Sequence, residues 1–164
     1  MIDLSNKIVI ITGGTRGIGF ITAKTFLKNN AKVIIFGSKS ESVMKALEEL
    51  KEESYEVEGY YPNLNDYNEI EKTIAEIKQK YGRVDILINN AGISARDKIT
   101  DTSAEDFKNI MDLNVNAMFN VTKVVVPIMQ EQKSGVILNT SSMVSIYGQP
   151  SGVGYPTSKF AVNG

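Results

Sequence analysis

Short apolar runs rich in valine and isoleucine alternate along this chain with longer stretches in which apolar residues recur every three or four positions. The short runs are typical of buried strands, and the longer stretches are typical of amphipathic helices. Such alternation predicts βαβ units with parallel strands and right-handed connections. We therefore expect an α/β fold, a doubly wound parallel sheet with strand order 3-2-1-4-5 and helices on both faces.

The predicted strands are short, and each is bounded by turn-forming residues. They are Lys7–Thr12, Lys32–Phe36, Val57–Tyr61, Asp85–Asn89 and Gly135–Thr140. In a doubly wound sheet, ligands bind beside the first strand, where the strand order reverses. The candidate site should therefore lie at the carboxyl ends of these strands.

Helices are predicted between the strands. They are Ile18–Lys28, Ser40–Lys51, a helix capped by Asp66 that ends at Tyr81, a long helix after Ser103, and one that begins at Tyr155–Pro156. The first is expected to bury Ile18, Ile21, Phe26 and Leu27. In the long helix, the predicted apolar residues are Phe107, Met111, Val115, Met118 and Phe119. Pro127 is expected to kink or end that helix.

Composition excludes several classes of site. The 164 residues suit one domain, and cysteine and histidine are both absent, which excludes disulfides, zinc–thiolate sites and Ser-His-Asp triads. Proton transfer near neutral pH must therefore use a carboxylate, lysine or tyrosine, and we expect no metal. The net charge of −1 gives no indication of nucleic-acid or membrane binding. The start resembles no signal peptide, so we expect a cytoplasmic protein.

A glycine-rich turn, Thr12–Gly19, lies between the first strand and the first helix. Gly13 suits a tight turn, Gly17 permits close approach of a pyrophosphate, and Gly19 permits close packing of the helix. An ordinary βα turn is the plain alternative. A P-loop is disfavoured because Phe20 and Ile21 stand where Lys and Ser or Thr are required.

Two further groups of residues lie downstream of the turn. Asn89-Asn90-Ala91-Gly92 ends the fourth strand, beside the expected crevice. Tyr155 and Lys159 share one helix face at i, i+4 spacing, and Ser142 lies thirteen residues before Tyr155. Each of these residues alone would suit a structural role, but their joint spacing downstream of the glycine turn favours a catalytic one.

The TGxxxGxG turn, the NNAG segment and the Ser–Tyr–Lys spacing together resemble the short-chain dehydrogenase/reductase family, whose fold is Rossmann-like. Within the family, the chain is most similar to 3-oxoacyl-carrier-protein reductases, with a weaker likeness to bacterial hydroxysteroid dehydrogenases. The resemblance implies NAD(P)-dependent hydride transfer between a small-molecule carbonyl and a secondary alcohol. It also implies a homo-oligomer, either a dimer or a tetramer.

The resemblance implies four catalytic residues. Tyr155 is the general acid/base, Lys159 its electrostatic partner, Ser142 the donor to the substrate oxygen, and Asn114 the residue that holds a water for a proton relay. The charges are consistent, because a nearby ammonium favours a phenolate. Ser141 and Tyr147 are alternative assignments for the serine and the tyrosine.

The implied cofactor contacts are Gly13, Thr15, Arg16, Gly17, Ile18, Gly19, Ser38, Lys39, Asn63, Asn90, Ala91, Gly92, Tyr155 and Lys159. No acid occurs after the second strand until Glu41, whereas Ser38, Lys39 and Arg16 suit a 2′-phosphate. NADP is therefore preferred and NAD remains possible. Many relatives have Asp where this chain has Asn63, which still offers a carbonyl acceptor to adenine.

Residues 1–164 are interpreted as a single NAD(P)-binding Rossmann domain that is incomplete at its C-terminal end, with the later strands missing. We expect this fragment itself to be inactive or nearly so. Two alternatives remain open: a nucleotide-binding fragment without turnover, and a hydroxysteroid dehydrogenase. A sugar-nucleotide epimerase is disfavoured because its turn would be GxxGxxG.

Overall fold

Five parallel strands form one sheet in the order β3-β2-β1-β4-β5. The structure is a computed structural model that describes residues 2–164. The strands are β1 (Ile8–Thr12), β2 (Lys32–Phe36), β3 (Val57–Tyr60), β4 (Ile86–Asn89) and β5 (Val136–Asn139). In β1, Val9 pairs with Val33 of β2 on one side and Ile86 of β4 on the other. The predicted fold class and strand order are confirmed.

The described part of the chain contains six α-helices. They are α1 (Gly17–Lys28), α2 (Ser40–Glu52), α3 (Tyr67–Tyr81), α4 (Ala104–Met111), α5 (Ala117–Gln132) and α6 (Gly154–Asn163). The Asp66 side chain caps α3 by accepting from the backbone N–H groups of Asn68 and Glu69. The predicted cap is thus confirmed.

Neighbouring residues in the central strands face opposite layers of the molecule. Ile10 and Ile34 pack into a core that includes α3 and α5, whereas Ile11 and Ile35 pack into a core that includes α1 and α2. All four side chains are fully buried. This two-sided burial explains why the central strands are continuously apolar.

Strand β5 departs from that pattern. Val136 and Leu138 are 51% and 54% exposed, because within residues 2–164 no helix covers that face of β5. Helices therefore cover both faces of the sheet as predicted, except over this face of β5 within residues 2–164.

Helix α1 buries a different face from the one predicted. Ile18 and Ile21 are 72% and 59% exposed, whereas Phe20, Ala23 and Leu27 are buried. Small residues allow α1 to approach the sheet closely, and this turns the two isoleucines outward. The prediction was correct for Leu27 and wrong for Ile18 and Ile21.

The predicted long helix consists of α4 and α5 joined by a π-helical turn, Asp112–Asn116. A π-turn inserts one residue and rotates the faces of the next helical segment, so that Asn114 is buried and Phe119 is 60% exposed. Phe107 is 36% exposed, so neither phenylalanine of the predicted apolar set is fully buried. Pro127 does not end the helix, because it lies on the exposed side, where the carbonyl that it leaves unpaired can bind water.

Within residues 2–164, none of the helices combines the length and the apolar character that crossing a membrane would require.

Candidate functional site

The glycine-rich turn joins β1 to α1 at the carboxyl edge of the sheet. Gly13 has a φ of +65°, a backbone conformation that favours glycine. A Cβ added at Gly19 would collide with the carbonyl oxygen of Gly13 and would lie 2.5 Å from Nδ2 of Asn90. Among the described residues, 2–164, no side chain caps the N-terminus of α1. Its first N–H groups therefore remain available to an anion.

Hydrogen bonds hold the end of β4 against this turn. Oγ1 of Thr12 accepts from the backbone N–H groups of Asn90 and Ala91, at 3.0 Å each. Nδ2 of Asn90 donates to the carbonyl oxygens of Thr12 and Gly13, at 3.2 and 3.1 Å. Part of the NNAG segment therefore fixes the shape of the glycine turn.

A cleft of about 630 Å³ opens at the carboxyl ends of β1 to β4. Ten of the predicted cofactor contacts line it: Gly13, Thr15, Arg16, Gly17, Ile18, Ser38, Asn63, Asn90, Ala91 and Gly92. Eight further lining residues were not predicted: Phe36, Gly37, Tyr61, Pro62, Leu64, Glu69, Ile93 and Leu113. Most of these lie just after strand ends, and this position in the sequence is the signal that could have identified them.

Some of the predicted cofactor contacts do not line the cleft. Lys39 is exposed and is not a lining residue, although its neighbour Ser38 is. Gly19 is not a lining residue either, but its lack of a side chain allows α1 to pack closely against Gly13. Arg16 is exposed and is one of the lining residues, so it contributes a positive charge to the wall of the cleft.

Lys159 is a buried lysine in α6, with 5% of its surface exposed. Its Nζ donates to the carbonyl oxygen of Thr140 at 2.6 Å. Burial lowers the pKa of Lys159 below its usual value. Nζ lies 5.8 Å from the centroid of the Tyr155 ring, one helical turn away. Within residues 2–164, the Tyr155 hydroxyl makes no hydrogen bond.

The two candidate serines differ in how their hydroxyls are bonded. Oγ of Ser141 is engaged with Oγ of Ser145, the carbonyl oxygen of Lys159 and Oδ1 of Asn163. Oγ of Ser142 accepts one long bond, 3.4 Å, from the N–H of Val144 and caps a short 3₁₀ turn. The Ser142 hydroxyl is thus the freer of the two.

Asn114 links the loop after β4 to α6. Its Oδ1 accepts from the N–H of Ile93 at 2.8 Å, and its Nδ2 donates to the carbonyl oxygen of Ile93 and to Oγ of Ser158, both at 2.9 Å. Oγ of Ser158 then donates to the carbonyl oxygen of Tyr155 at 2.7 Å. The Asn114 side chain therefore acts as a clamp on α6.

Gly92 lies close both to the cleft and to Lys159 of α6. A Cβ added at Gly92 would lie 3.0 Å from Oδ1 of Asn114 and 3.9 Å from Nζ of Lys159. Since Gly92 also lines the cleft, the buried ammonium lies directly behind the cleft wall.

The sheet order and the position of the cleft define a doubly wound nucleotide-binding domain. A sequence model of the short chain dehydrogenase family matches residues 7–164. The chain belongs to the short chain dehydrogenase family.

Two curated relatives differ in their similarity to this chain. A 3alpha-hydroxysteroid dehydrogenase of Mediterraneibacter gnavus is 54% identical over 163 residues, covering 98% of this chain and 65% of the relative. A 3-oxoacyl-[acyl-carrier-protein] reductase of Thermotoga maritima is 37% identical over 161 residues, with the same two coverages. The chain thus spans about two thirds (65%) of the length of these relatives.

Solved structures show the same architecture. An NAD+-bound xylitol dehydrogenase superimposes with a TM-score of 0.91 at 29% identity, covering 96% of this chain and 61% of that one. An actinorhodin polyketide ketoreductase with NADPH also gives 0.91, at 30% identity, covering 95% and 60%.

Proposed function

We propose that this chain carries the nucleotide-binding and proton-transfer residues of an NAD(P)-dependent oxidoreductase that interconverts a carbonyl and a secondary alcohol. The observation that carries the proposal is the position of Lys159. Its buried Nζ lies 5.8 Å from the centroid of the Tyr155 ring, and a Cβ added at Gly92, in the wall of the cleft, would lie 3.9 Å from it. An uncompensated ammonium is costly to bury. Its placement near the Tyr155 ring and close to the wall of a large cleft supports a functional role.

The cleft fits a dinucleotide on three observations. It has a volume of about 630 Å³, close packing at Gly13 and Gly19 fixes the glycine turn in its wall, and within residues 2–164 no side chain caps the N-terminus of α1. In the proposal, the first turn of α1 holds the pyrophosphate, and Lys159 bonds the nicotinamide ribose. Arg16 and Ser38 favour a 2′-phosphate, so NADP is the preferred cofactor and NAD a possible one.

The bound cofactor supplies or accepts the hydride. Tyr155 gives a proton to the substrate oxygen during reduction and takes it back during oxidation. The Lys159 ammonium favours the phenolate form, and the Ser142 hydroxyl donates a hydrogen bond to the same substrate oxygen. Asn114 and Ser158 hold α6, and thereby Tyr155, in position.

We propose a hydroxysteroid as the substrate. The 54% identical relative is named a 3alpha-hydroxysteroid dehydrogenase, and the acyl-carrier-protein reductase is more distant at 37%. Apolar side chains next to the proposed catalytic residues support an apolar substrate. Met143 and Ile146 after Ser142 are 69% and 78% exposed, and Ile93 after Gly92 is 40% exposed.

We also propose a cytoplasmic homo-oligomer, a dimer or a tetramer, which sedimentation analysis of the purified protein would test.

Replacement of Tyr155 by phenylalanine tests the catalytic assignment. The assay follows NADPH oxidation with a 3-oxosteroid and, separately, with a 3-oxoacyl thioester. Loss of the proton donor should lower kcat by about 100-fold or more while cofactor binding is retained. Tyr67→Phe, in the first turn of α3, is the matched control and should leave kcat unchanged.

Three outcomes would count against the proposal in different ways. If the unaltered chain turns over substrate, activity of Tyr155→Phe close to that of the unaltered chain would overturn the assignment of Tyr155. Faster turnover of the thioester than of the steroid would overturn the proposed substrate. Cofactor binding without turnover would leave nucleotide binding as the function of this chain.

A further inference from the structure

Asn89, the last residue of β4, has a buried side-chain amide with one polar end unpaired. Its Nδ2 donates to Oγ1 of Thr122 and to Oδ1 of Asn139, at 2.9 Å each. Within residues 2–164, Oδ1 of Asn89 is the only buried side-chain nitrogen or oxygen without a hydrogen-bond partner. Only 5% of the residue is exposed. A buried acceptor without a partner destabilises a fold, so this oxygen requires an explanation.

A small cavity of about 10 Å³ lies beside this amide. Its polar lining residues are Thr12 and Asn89, and its apolar lining residues are Leu64, Ala91, Leu113, Ala117, Met118 and Val121. A space of that size holds about one water molecule when polar groups are present to bind it.

The carbonyl end of the Asn89 amide is the end that faces the cavity. Thr122 and Asn139, which bind the NH₂ end, do not line the cavity. Asn139 belongs to β5, whereas Thr12 belongs to β1, on the opposite side of β4. The two polar atoms of an amide diverge, so an NH₂ group bound towards β5 leaves the oxygen facing β1. If the amide were rotated by 180°, its NH₂ group would face the cavity and would equally lack a partner.

Thr12 supplies the second polar group. It lies two residues after Ile10, and Asn89 lies two residues after Leu87, so both side chains face the core that includes α3 and α5. Oγ1 of Thr12 already accepts from two backbone N–H groups of the NNAG segment. Its own hydrogen has only a long bond, 3.5 Å, to the carbonyl oxygen of Ile88. That hydrogen is therefore available to a closer acceptor.

We propose that this cavity is a binding site for one internal water molecule, which donates to Oδ1 of Asn89 and accepts from Oγ1 of Thr12. A water molecule has both the donor and the acceptor that these two groups require. The bridge would join the ends of β1 and β4, where the glycine turn and the NNAG segment begin. Leu64, Ala91 and Leu113 line both the cavity and the nucleotide cleft, so the water would lie directly behind the cleft wall.

Oxygen-17 magnetic relaxation dispersion counts internal waters in solution, and a crystal structure of the unaltered chain locates them. We expect one ordered water within about 3 Å of both the Asn89 amide and Oγ1 of Thr12. Val121→Ile adds a methylene group, comparable in volume with a water molecule, to a residue that lines the cavity. This variant should have one internal water fewer than the unaltered chain.

Val125→Ile is the matched control. It adds the same group one turn later in α5, at a buried valine that does not line the cavity. The number of internal waters should therefore stay unchanged in this variant.

Three results would overturn the inference. They are an unchanged water count in Val121→Ile, the same loss in both variants, and a crystal structure in which a protein group binds the unpaired end of the Asn89 amide. Should Val121→Ile fail to fold, the crystal structure of the unaltered chain still decides. None of these measurements requires cofactor binding or turnover, so failure of the proposed function would leave this inference intact.

Discussion

Replacing Gly19 by alanine adds a single methyl group at the most crowded point of the glycine turn. The new Cβ would overlap the carbonyl oxygen of Gly13 and press on Nδ2 of Asn90. The Gly13 oxygen is backbone and accepts from Asn90, so it cannot move without the turn. The change therefore acts on the shape of the proposed pyrophosphate site.

The expected cost has two parts. Overpacking of a filled site lowers the free energy of unfolding by about 1–3 kcal/mol. Loss of the bond from Asn90 to Gly13 removes about another 1 kcal/mol. We therefore expect Gly19→Ala to lower the free energy of unfolding by about 2–4 kcal/mol. Cofactor affinity should fall about tenfold or more, because the N–H groups that would face the pyrophosphate are displaced.

Urea unfolding and NADPH titration measure the two effects separately. Gly148→Ala is the matched control, because a Cβ there meets no atom within 4 Å and the φ of Gly148 is not positive. It should change the free energy of unfolding by less than about 0.5 kcal/mol. Equal effects of the two substitutions on stability and on NADPH affinity would refute the steric reasoning for Gly19.

Two further predictions concern buried polar groups. Ser158→Ala removes the bonds to Asn114 and Tyr155 and should lower the free energy of unfolding by about 1–2 kcal/mol; kcat should fall while the Kd of NADPH stays constant. Thr157→Ala is its exposed control, and equal kcat values of the two variants would exclude a positioning role for Ser158. Burial alone would raise the pKa of Asp85, but hydrogen bonds from Arg83 and from the N–H of Ile8 outweigh it and hold that pKa below the usual range. Since the folded pKa is lowered, this stabilisation is complete above about pH 5 and is lost as the pH falls through the folded pKa. Asp85→Asn should therefore cost about 2 kcal/mol at pH 7 and less at pH 3 in urea unfolding, and a cost that does not change with pH would contradict this.

The strands and their order were predictable because the central strands are buried on both faces. Two-sided burial leaves a continuous apolar run, as in Ile8–Thr12, and such runs alternating with helices permit few topologies. The glycine turn was predictable for a related reason, since positive φ and close backbone contact both require glycine. Among the ten predicted contacts that line the cleft, the glycines of the turn follow from this requirement, whereas Ser38, Asn63 and Asn90 were implied by the family resemblance.

Helix faces were less predictable, because the apolar pattern alone does not show which side approaches the sheet. In α1, Phe20, Ala23 and Leu27 lie inward, whereas Ile18 lines the cleft, so the apolar character of Ile18 belongs to the site and not to the core. The π-turn has no simple sequence signal, yet it decides where Asn114 points. The hydrogen bond from the N–H of Asn65 to Oδ1 of Asn63 was not predictable from the sequence either, because it depends on the conformation of the loop.

The π-turn also explains how two parts of the candidate site can act together. By turning Asn114 inward, it allows one side chain to bond both Ile93, beside the cleft, and Ser158, on the helix that carries Tyr155. A displacement of the Gly92–Ile93 backbone by a bound ligand would reach α6 through two hydrogen bonds. The Asn114 side chain therefore links the backbone beside the nucleotide cleft to the helix that carries the proposed proton donor.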